Sequence, residues 1–187
     1  MVYALIPVKD RYEYTEKCIE SFLNQTYKEI TIVVINDGSV DGTSEKIKAK
    51  FPNVIVLEGD GNLWCMGAFH MGVEYVLKNA QNTDYILTQN QDAYFGKDFV
   101  SNLISVSEKY NEAVVGSINY SSKKDSVIYH NHLLIGGVFK PNIIKEPYIP
   151  DVVDSDTLNT RGTIFPIKVI KKIGNFSKLF HHYAGDY

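Results

Sequence analysis

Cysteine is scarce in this sequence: Cys18 and Cys65 are the only two among 187 residues. No CxxC pair and no Cys/His metal spacing is present, so two reduced thiols in a cytosolic protein are expected rather than a disulfide framework. Long apolar runs are lacking as well. None reaches the ~20 residues that span a bilayer, which leaves any membrane contact peripheral at most. The opening MVYALIPVKDRY is too short in its apolar run for a signal peptide, and its charges follow the run instead of preceding it. An excess of one charge is missing too. The formal net charge of -3 gives no electrostatic argument for nucleic acid as a partner. Finally, no GxGxxG follows a strand and no GxxxxGK[ST] occurs, so the usual dinucleotide and P-loop signatures are absent. A phosphate ligand would have to be held by a metal or by basic side chains.

What is present describes one globular domain over residues 1–187, at 44% hydrophobic and 22% charged residues. Val2–Val8 is an apolar run that suits a buried strand, and Tyr14, Cys18, Ile19, Phe22 and Leu23 recur at helical spacing over Glu13–Asn24. Ile30–Ile35 predicts a second strand, Ser44–Phe51 a helix and Asn53–Leu57 a third strand. The β-α-β-α-β succession argues for an α/β fold with a Rossmann-like, mostly parallel sheet. Glu58–Met66 reads as a loop, followed by a helix face from Met66 to Leu77, and Ala113–Ile118 as a further strand. Val127–Tyr129 and Leu133–Phe139 suggest a small antiparallel element. Asn159–Phe165 resembles a returning strand, and Pro166 opens a short helix that Gly174 caps. Residues 1–118 are expected to form a nucleotide-binding half and 119–187 a substrate-shaping half.

Chemistry is best placed on DYILTQNQDAYF, Asp84–Phe95. A buried strand, Tyr85–Thr88, runs into a polar loop bearing Asp92, and ligands bind beyond the carboxyl ends of parallel strands. Asp92, with Asn90 two residues earlier, offers hard oxygens to Mg²⁺ or Mn²⁺ against a diphosphate; the alternative is an acidic turn after a core strand. In the Asn36–Thr43 loop, Asp37 is favoured as a ligand contact, whereas Ser39, Asp41 and Thr43 suit turns and helix capping. Lys9 and Arg11 are either phosphate contacts or solvated charges. GDGNLWCMG, Gly59–Gly67, brings backbone near a phosphate or sugar, or is a plain loop with Trp64 over the core edge. In the terminal FHHYAGDY, Asp186 is a candidate general base and His182 a candidate metal ligand, against a reading of His181 and His182 as surface residues.

In order along the chain, PVKDRYEYTEKCIESFLNQTY, VVINDGSVDGT, GNLWCMGAFHMG, LTQNQDAYF, RGTIFPIKVIKKIGNF and FHHYAGDY together resemble the family 2 glycosyltransferases with a GT-A fold. The resemblance covers nearly the whole chain. It implies an inverting transferase that moves a sugar from a nucleoside-diphosphate donor (UDP- or dTDP-linked) to a hydroxyl of a glycan or lipid-linked acceptor. It implies a divalent cation, Mg²⁺ or Mn²⁺, on the donor diphosphate, and a cytoplasmic site at the inner face of the cell membrane. By similarity, Pro7, Lys9 and Asp37 surround the nucleoside, Asn62 and Gly67 border the donor, and Asn90 and Asp92 take the D-x-D-type metal motif. Asp186 matches the catalytic base.

Three positions depart from the pattern. Asn36 stands where many members have a first aspartate, Asn90 takes the first place of the metal motif, and Gly185 replaces the glutamate before the base. The Asn-Gln-Asp form and the GNLW loop are similar to the rhamnosyltransferase-like branch. The chain stops one residue after Asp186, an end expected of a truncated chain. A non-catalytic nucleotide-sugar-binding module is the alternative reading. A sugar-nucleotide nucleotidyltransferase is disfavoured, because no Gly-rich, Arg/Lys-containing loop follows the first strand.

Overall fold

The computed structural model describes residues 1–121, 126–128, 132–135, 138–141 and 152–177. Its elements run β1 (Val2–Val8), α1 (Tyr12–Leu23), β2 (Ile30–Asn36), α2 (Thr43–Lys50), β3 (Ile55–Glu58), α3 (Trp64–Leu77), β4 (Tyr85–Thr88) and α4 (Phe99–Lys109). There follow β5 (Val115–Gly116), β6 (Asn119–Ser121), β7 (Ser126–Ile128), β8 (His132–Ile135), β9 (Val138–Pro141), β10 (Thr163–Pro166) and α5 (Ile167–Ile173). Six strands form one sheet in the order β3-β2-β1-β4-β10-β5. The first four are parallel, and β10 runs antiparallel to both β4 and β5. β6 with β7 and β8 with β9 make two separate antiparallel ribbons.

The period of two along the strands sorts the core into two layers. Ala4, Ile6 and Val8 of β1 pack with Cys18, Ile19 and Phe22 of α1, Ile47 of α2 and Val100 and Leu103 of α4. Tyr3 and Leu5 face the other way, onto Phe69 and Val73 of α3 and Ile167 and Ile170 of α5. With helices on both faces, strands need apolar residues at every position, which is why β1 and β4 read as unbroken runs instead of alternating ones. Phe69 is fully buried; truncating such a ring to alanine costs about 3–5 kcal/mol.

β2 lies on one side of β1 and β4 on the other, so the strand order reverses direction between β1 and β4. That reversal is where open α/β sheets leave a crevice at the carboxyl ends of their strands. Pro7 marks its start. β1 pairs with β2 through Val8 but with β4 only through Leu5; the last backbone link across is Gln89 N–H to the Leu5 carbonyl at 3.0 Å, after which only the Gln91 side chain reaches Lys9. Proline has no N–H with which to extend a ladder, and beyond it the two chains separate.

The expected α/β architecture, the parallel succession and the α5 cap at Gly174 are all present. The differences are local. The expected Ala113–Ile118 strand is only Val115–Gly116, the returning strand begins at Thr163 instead of Asn159, and the Glu58–Met66 loop ends early because α3 starts at Trp64.

Candidate functional site

A cavity of about 560 Å³ opens at this crevice, lined by Pro7, Val8, Lys9, Arg11, Asp37, Trp64, Cys65, Ala68, Asn90, Gln91, Asp92 and Arg161. The volume lies in the usual range for small-ligand sites. Residues from the ends of β1, β2 and β4, the start of α3 and the approach to β10 meet there.

The loop after β1 is tightly set. Asp10 and Arg11 are both left-handed, at φ 55° and 61°, a conformation that non-glycine residues adopt only where neighbours hold them. Here the neighbours are in the loop after β2. Asp10 N–H donates to Ser39 Oγ at 2.8 Å, and Val40 N–H donates back to Asp10 Oδ1 at 2.8 Å. Asp41 accepts from the Thr43 N–H at 3.0 Å and from its hydroxyl, closing the turn into α2 as the sequence predicts. Gly38 and Gly61 meet backbone to backbone. A Cβ on Gly38 would lie 2.7 Å from Gly61 Cα, so the loops after β2 and β3 approach only because glycine stands there. Lys9 reaches across to the same turn, its ammonium donating to the Gly61 carbonyl at 2.9 Å.

Asp37 is buried, at 5% exposure. Its Oδ1 accepts the Leu63 N–H at 3.1 Å and its Oδ2 the Trp64 N–H at 3.0 Å. These are first-turn amides of α3, which has no internal partner for them. The carboxylate therefore caps α3 from another strand while lining the cavity. Trp64 sits at φ 55° at this start, where a bulky side chain costs about 1–3 kcal/mol of backbone strain. Its indole N–H donates to Asn62 Oδ1 at 3.1 Å, and the ring lies at the cavity mouth, 44% exposed.

The Asp92 loop is anchored to α1. Fully buried Gln25 donates to the Gly96 carbonyl at 2.9 Å and accepts the Val100 N–H at 3.0 Å. Thr15 Oγ1 donates to Gln91 Oε1 at 3.3 Å, and Cys18 Sγ to the Asn90 carbonyl at 3.5 Å. Burial, with the Asp92 carboxylate adding to it, pushes the Cys18 thiol well up, so this cysteine stays neutral and unreactive. Arg161 faces Asp92 across the cavity at 3.7 Å.

Of the residues singled out in the sequence, Pro7, Lys9, Asp37, Asn90 and Asp92 converge on this cavity. Asn62 and Gly67 do not line it: Asn62 holds the Trp64 indole, and Gly67 continues the first turn of α3 through its N–H to the Leu63 carbonyl at 3.1 Å. Asp186, His181, His182 and His130 lie outside the described residues. Gln91, Cys65 and Arg161 were not picked out. Nothing in the sequence signalled Arg161, because only the antiparallel entry of β10 beside β4 brings it to the cavity.

Residues 3–172 match the family model described as Glycosyl transferase family 2. The chain belongs to that family. Among curated glycosyltransferases it is 27% identical over 135 residues to GlyA of Streptococcus pneumoniae, spanning 71% of this chain and 19% of that one. It is 30% identical over 136 residues to an uncharacterized glycosyltransferase of Rickettsia conorii, spanning 72% and 20%. The chain thus matches about a fifth of the length of these relatives. The mannosyltransferase PcManGT from Pyrobaculum calidifontis, solved with GDP-Man and Mn²⁺, superimposes at a TM-score of 0.66 and 12% identity, over 95% of this chain and 47% of that one. S. aureus TarS 1–349 with UDP-GlcNAc superimposes at 0.63 and 16% identity, over 91% and 46%. At that identity the likeness speaks for the fold, which is the GT-A glycosyltransferase fold.

A divalent cation was expected at Asp92. Among the described residues no group of three or more His, Cys, Asp or Glu side chains forms a metal cage. Mg²⁺ does not require one: it keeps several waters and is held by one or two carboxylates plus substrate phosphates. Asp92, with its carboxylate 42% exposed on the cavity wall, suits that mode, and the amide oxygens of Asn90 and Gln91 are equally hard donors.

Proposed function

We propose that this family 2 chain transfers a sugar from a nucleoside-diphosphate donor to a hydroxyl of a glycan or lipid-linked acceptor, with inversion. The observation that carries the reading is the convergence of Pro7, Lys9, Asp37, Asn90 and Asp92 on one cavity at the strand reversal. Neighbours of the same fold, solved with GDP-Man and with UDP-GlcNAc, support a nucleotide sugar as the ligand.

In this reading the nucleoside lies against Pro7 and Asp37, and the diphosphate lies toward Lys9 and Asp92. When bound at Asp92, Mg²⁺ or Mn²⁺ supplies positive charge to the departing nucleoside diphosphate. The acceptor hydroxyl must lose its proton as it attacks, and Asp186 is our assignment for the carboxylate that takes it. His182 is our candidate second ligand for the cation, through an imidazole nitrogen. One displacement assisted by one base inverts the anomeric centre. No leaving-group acid is needed where the leaving group is already a diphosphate, so the two-carboxylate scheme of glycoside hydrolases is unnecessary. Residues 119–187 would shape the acceptor side, and a lipid-linked acceptor would bring the chain to the cytoplasmic face of a membrane. Among the described residues no helix is long and apolar enough to cross one.

A thermal-shift panel of UDP, dTDP, GDP and CDP, each with and without Mn²⁺, tests the reading. At a ligand concentration 100 times its Kd, binding adds about 2.7 kcal/mol, which is roughly 5–10 °C for a chain of this size. One nucleotide should shift the melting temperature, and Asp92→Ala should remove the part of the shift that needs Mn²⁺. No shift with any of the four overturns the reading.

A further inference from the structure

The backbone of Arg161 is held on both sides of its peptide. Its N–H donates to Asn159 Oδ1 at 2.6 Å, and its carbonyl accepts from Ser117 Oγ and Asn119 Nδ2, each at 3.4 Å. The next residue, Gly162, is wedged between strands. Its N–H donates to the Thr88 carbonyl at 2.9 Å, and its carbonyl accepts the Ser117 N–H at 2.8 Å. Gly162 has φ +75°, and a Cβ there would meet Ser117 Oγ at 2.2 Å and Phe99 Cζ at 3.1 Å. No other residue fits. β10 therefore delivers the root of Arg161 to a fixed point opposite the Asp92 loop.

The contact made there is open. Arg161 Nη2 stands 3.7 Å from Asp92 Oδ1, beyond the ~2.7–2.9 Å of a charge-assisted hydrogen bond. The two side chains are 28% and 42% exposed and both line the cavity. Asp92 thus balances the guanidinium's charge without closing on its donors. A planar guanidinium fork is the side chain best matched to phosphate oxygens. Two other groups that could hold an anion here are already engaged: the first amides of α3 bind Asp37, and Lys9 donates to the Gly61 carbonyl. That leaves Arg11 and Arg161 as the guanidinium groups on the cavity wall, and Arg161 is the one beside Asp92.

From this geometry, and resting on the nucleotide-sugar reading above, we infer that Arg161 grips the donor diphosphate directly and shares Asp92 with the divalent cation. Without metal, Asp92 orients Arg161 and the guanidinium alone holds the phosphates. A divalent cation held by Asp92 would add positive charge near the guanidinium, and the diphosphate would offset both charges. Arg161 thereby sets how strongly donor binding depends on metal.

Calorimetric titration of the four nucleoside diphosphates in EDTA and in Mn²⁺, and of Mn²⁺ alone, tests this on the full chain. Wild type should bind one nucleotide measurably in EDTA. Arg161→Gln should lose about tenfold or more of that EDTA affinity, the worth of a hydrogen bond to a charged group, yet bind Mn²⁺ alone several-fold more tightly. Arg161→Lys, which keeps the charge and loses the fork, should fall between them and carries the comparison if the glutamine variant does not fold. Asp92→Asn should lose the response to Mn²⁺. Equal EDTA affinity in wild type and Arg161→Lys or Arg161→Gln overturns the inference and leaves the nucleotide reading standing. So does wild type that binds only with Mn²⁺. Wild type that binds no nucleotide in either condition overturns both.

Discussion

The side-chain amide of Asn36 donates to Glu58 Oε2 at 2.7 Å, joining the last residues of β2 and β3, which face each other in register. Ser44 Oγ donates to the other oxygen of Glu58 at 2.5 Å, as does the Lys48 ammonium at 2.5 Å. The asparagine where family members often carry aspartate is thus answered by a glutamate across the sheet: a donor is required, and a second carboxylate would repel the first. Asn36→Asp should destabilise the fold by about 1–3 kcal/mol at pH 7, the range for losing a hydrogen bond to a charged group. Urea unfolding checks it. Acidification to pH 4–5 should recover part of the loss, since a protonated aspartate can donate.

Glu58 itself predicts an acid limb. Burial pushes its carboxyl up, but the hydrogen bonds from Lys48, Ser44 and Asn36 outweigh that and hold it at about 2, against an ordinary 4.5. A depressed carboxyl stabilises the fold fully above its unfolded value, and the contribution fades as pH falls through the folded one. Wild type should therefore lose stability between pH 4.5 and 2 more steeply than Glu58→Gln, by an amount kept modest because the side chain is 48% exposed. Melting temperatures across that window would show parallel curves if Glu58 contributed nothing.

Asp37→Ala should strip α3 of its cap. Two first-turn amides would lose their acceptor in a buried setting, at about 1–3 kcal/mol, or roughly 2–12 °C in melting temperature. Asp37→Asn, which retains one acceptor oxygen, should lose less. A variant as stable as wild type would mean that water replaces the carboxylate without cost.

How much of this the chain announced depended on whether the cause was local. β1 and β4 were legible because each strand carries its own apolar run. The cap at Gly174 was legible because its residue sits at the helix end. The start of α3 was not. No capping side chain stands next to Trp64 in the sequence; Asp37 supplies it from 27 residues away, so Glu58–Met66 reads as loop although α3 begins at Trp64. Arg161 was hidden for the same reason. Its place beside Asp92 follows from β10 entering the sheet backwards, and strand direction is not written in a four-residue apolar run.

That backward entry also orders events in time. β4 has β1 on one side as soon as residue 88 is made, but its other edge is filled only by β10, 75 positions later, as the Thr88–Thr163 hydrogen bond records. At ~5–20 residues per second, a ribosome takes about 4–15 s to cover that distance. For that interval a strand buried along its whole length in the finished sheet presents an unpaired edge, the kind that recruits a neighbouring chain. Slow elongation between these two points is when a nascent copy is most exposed to aggregation.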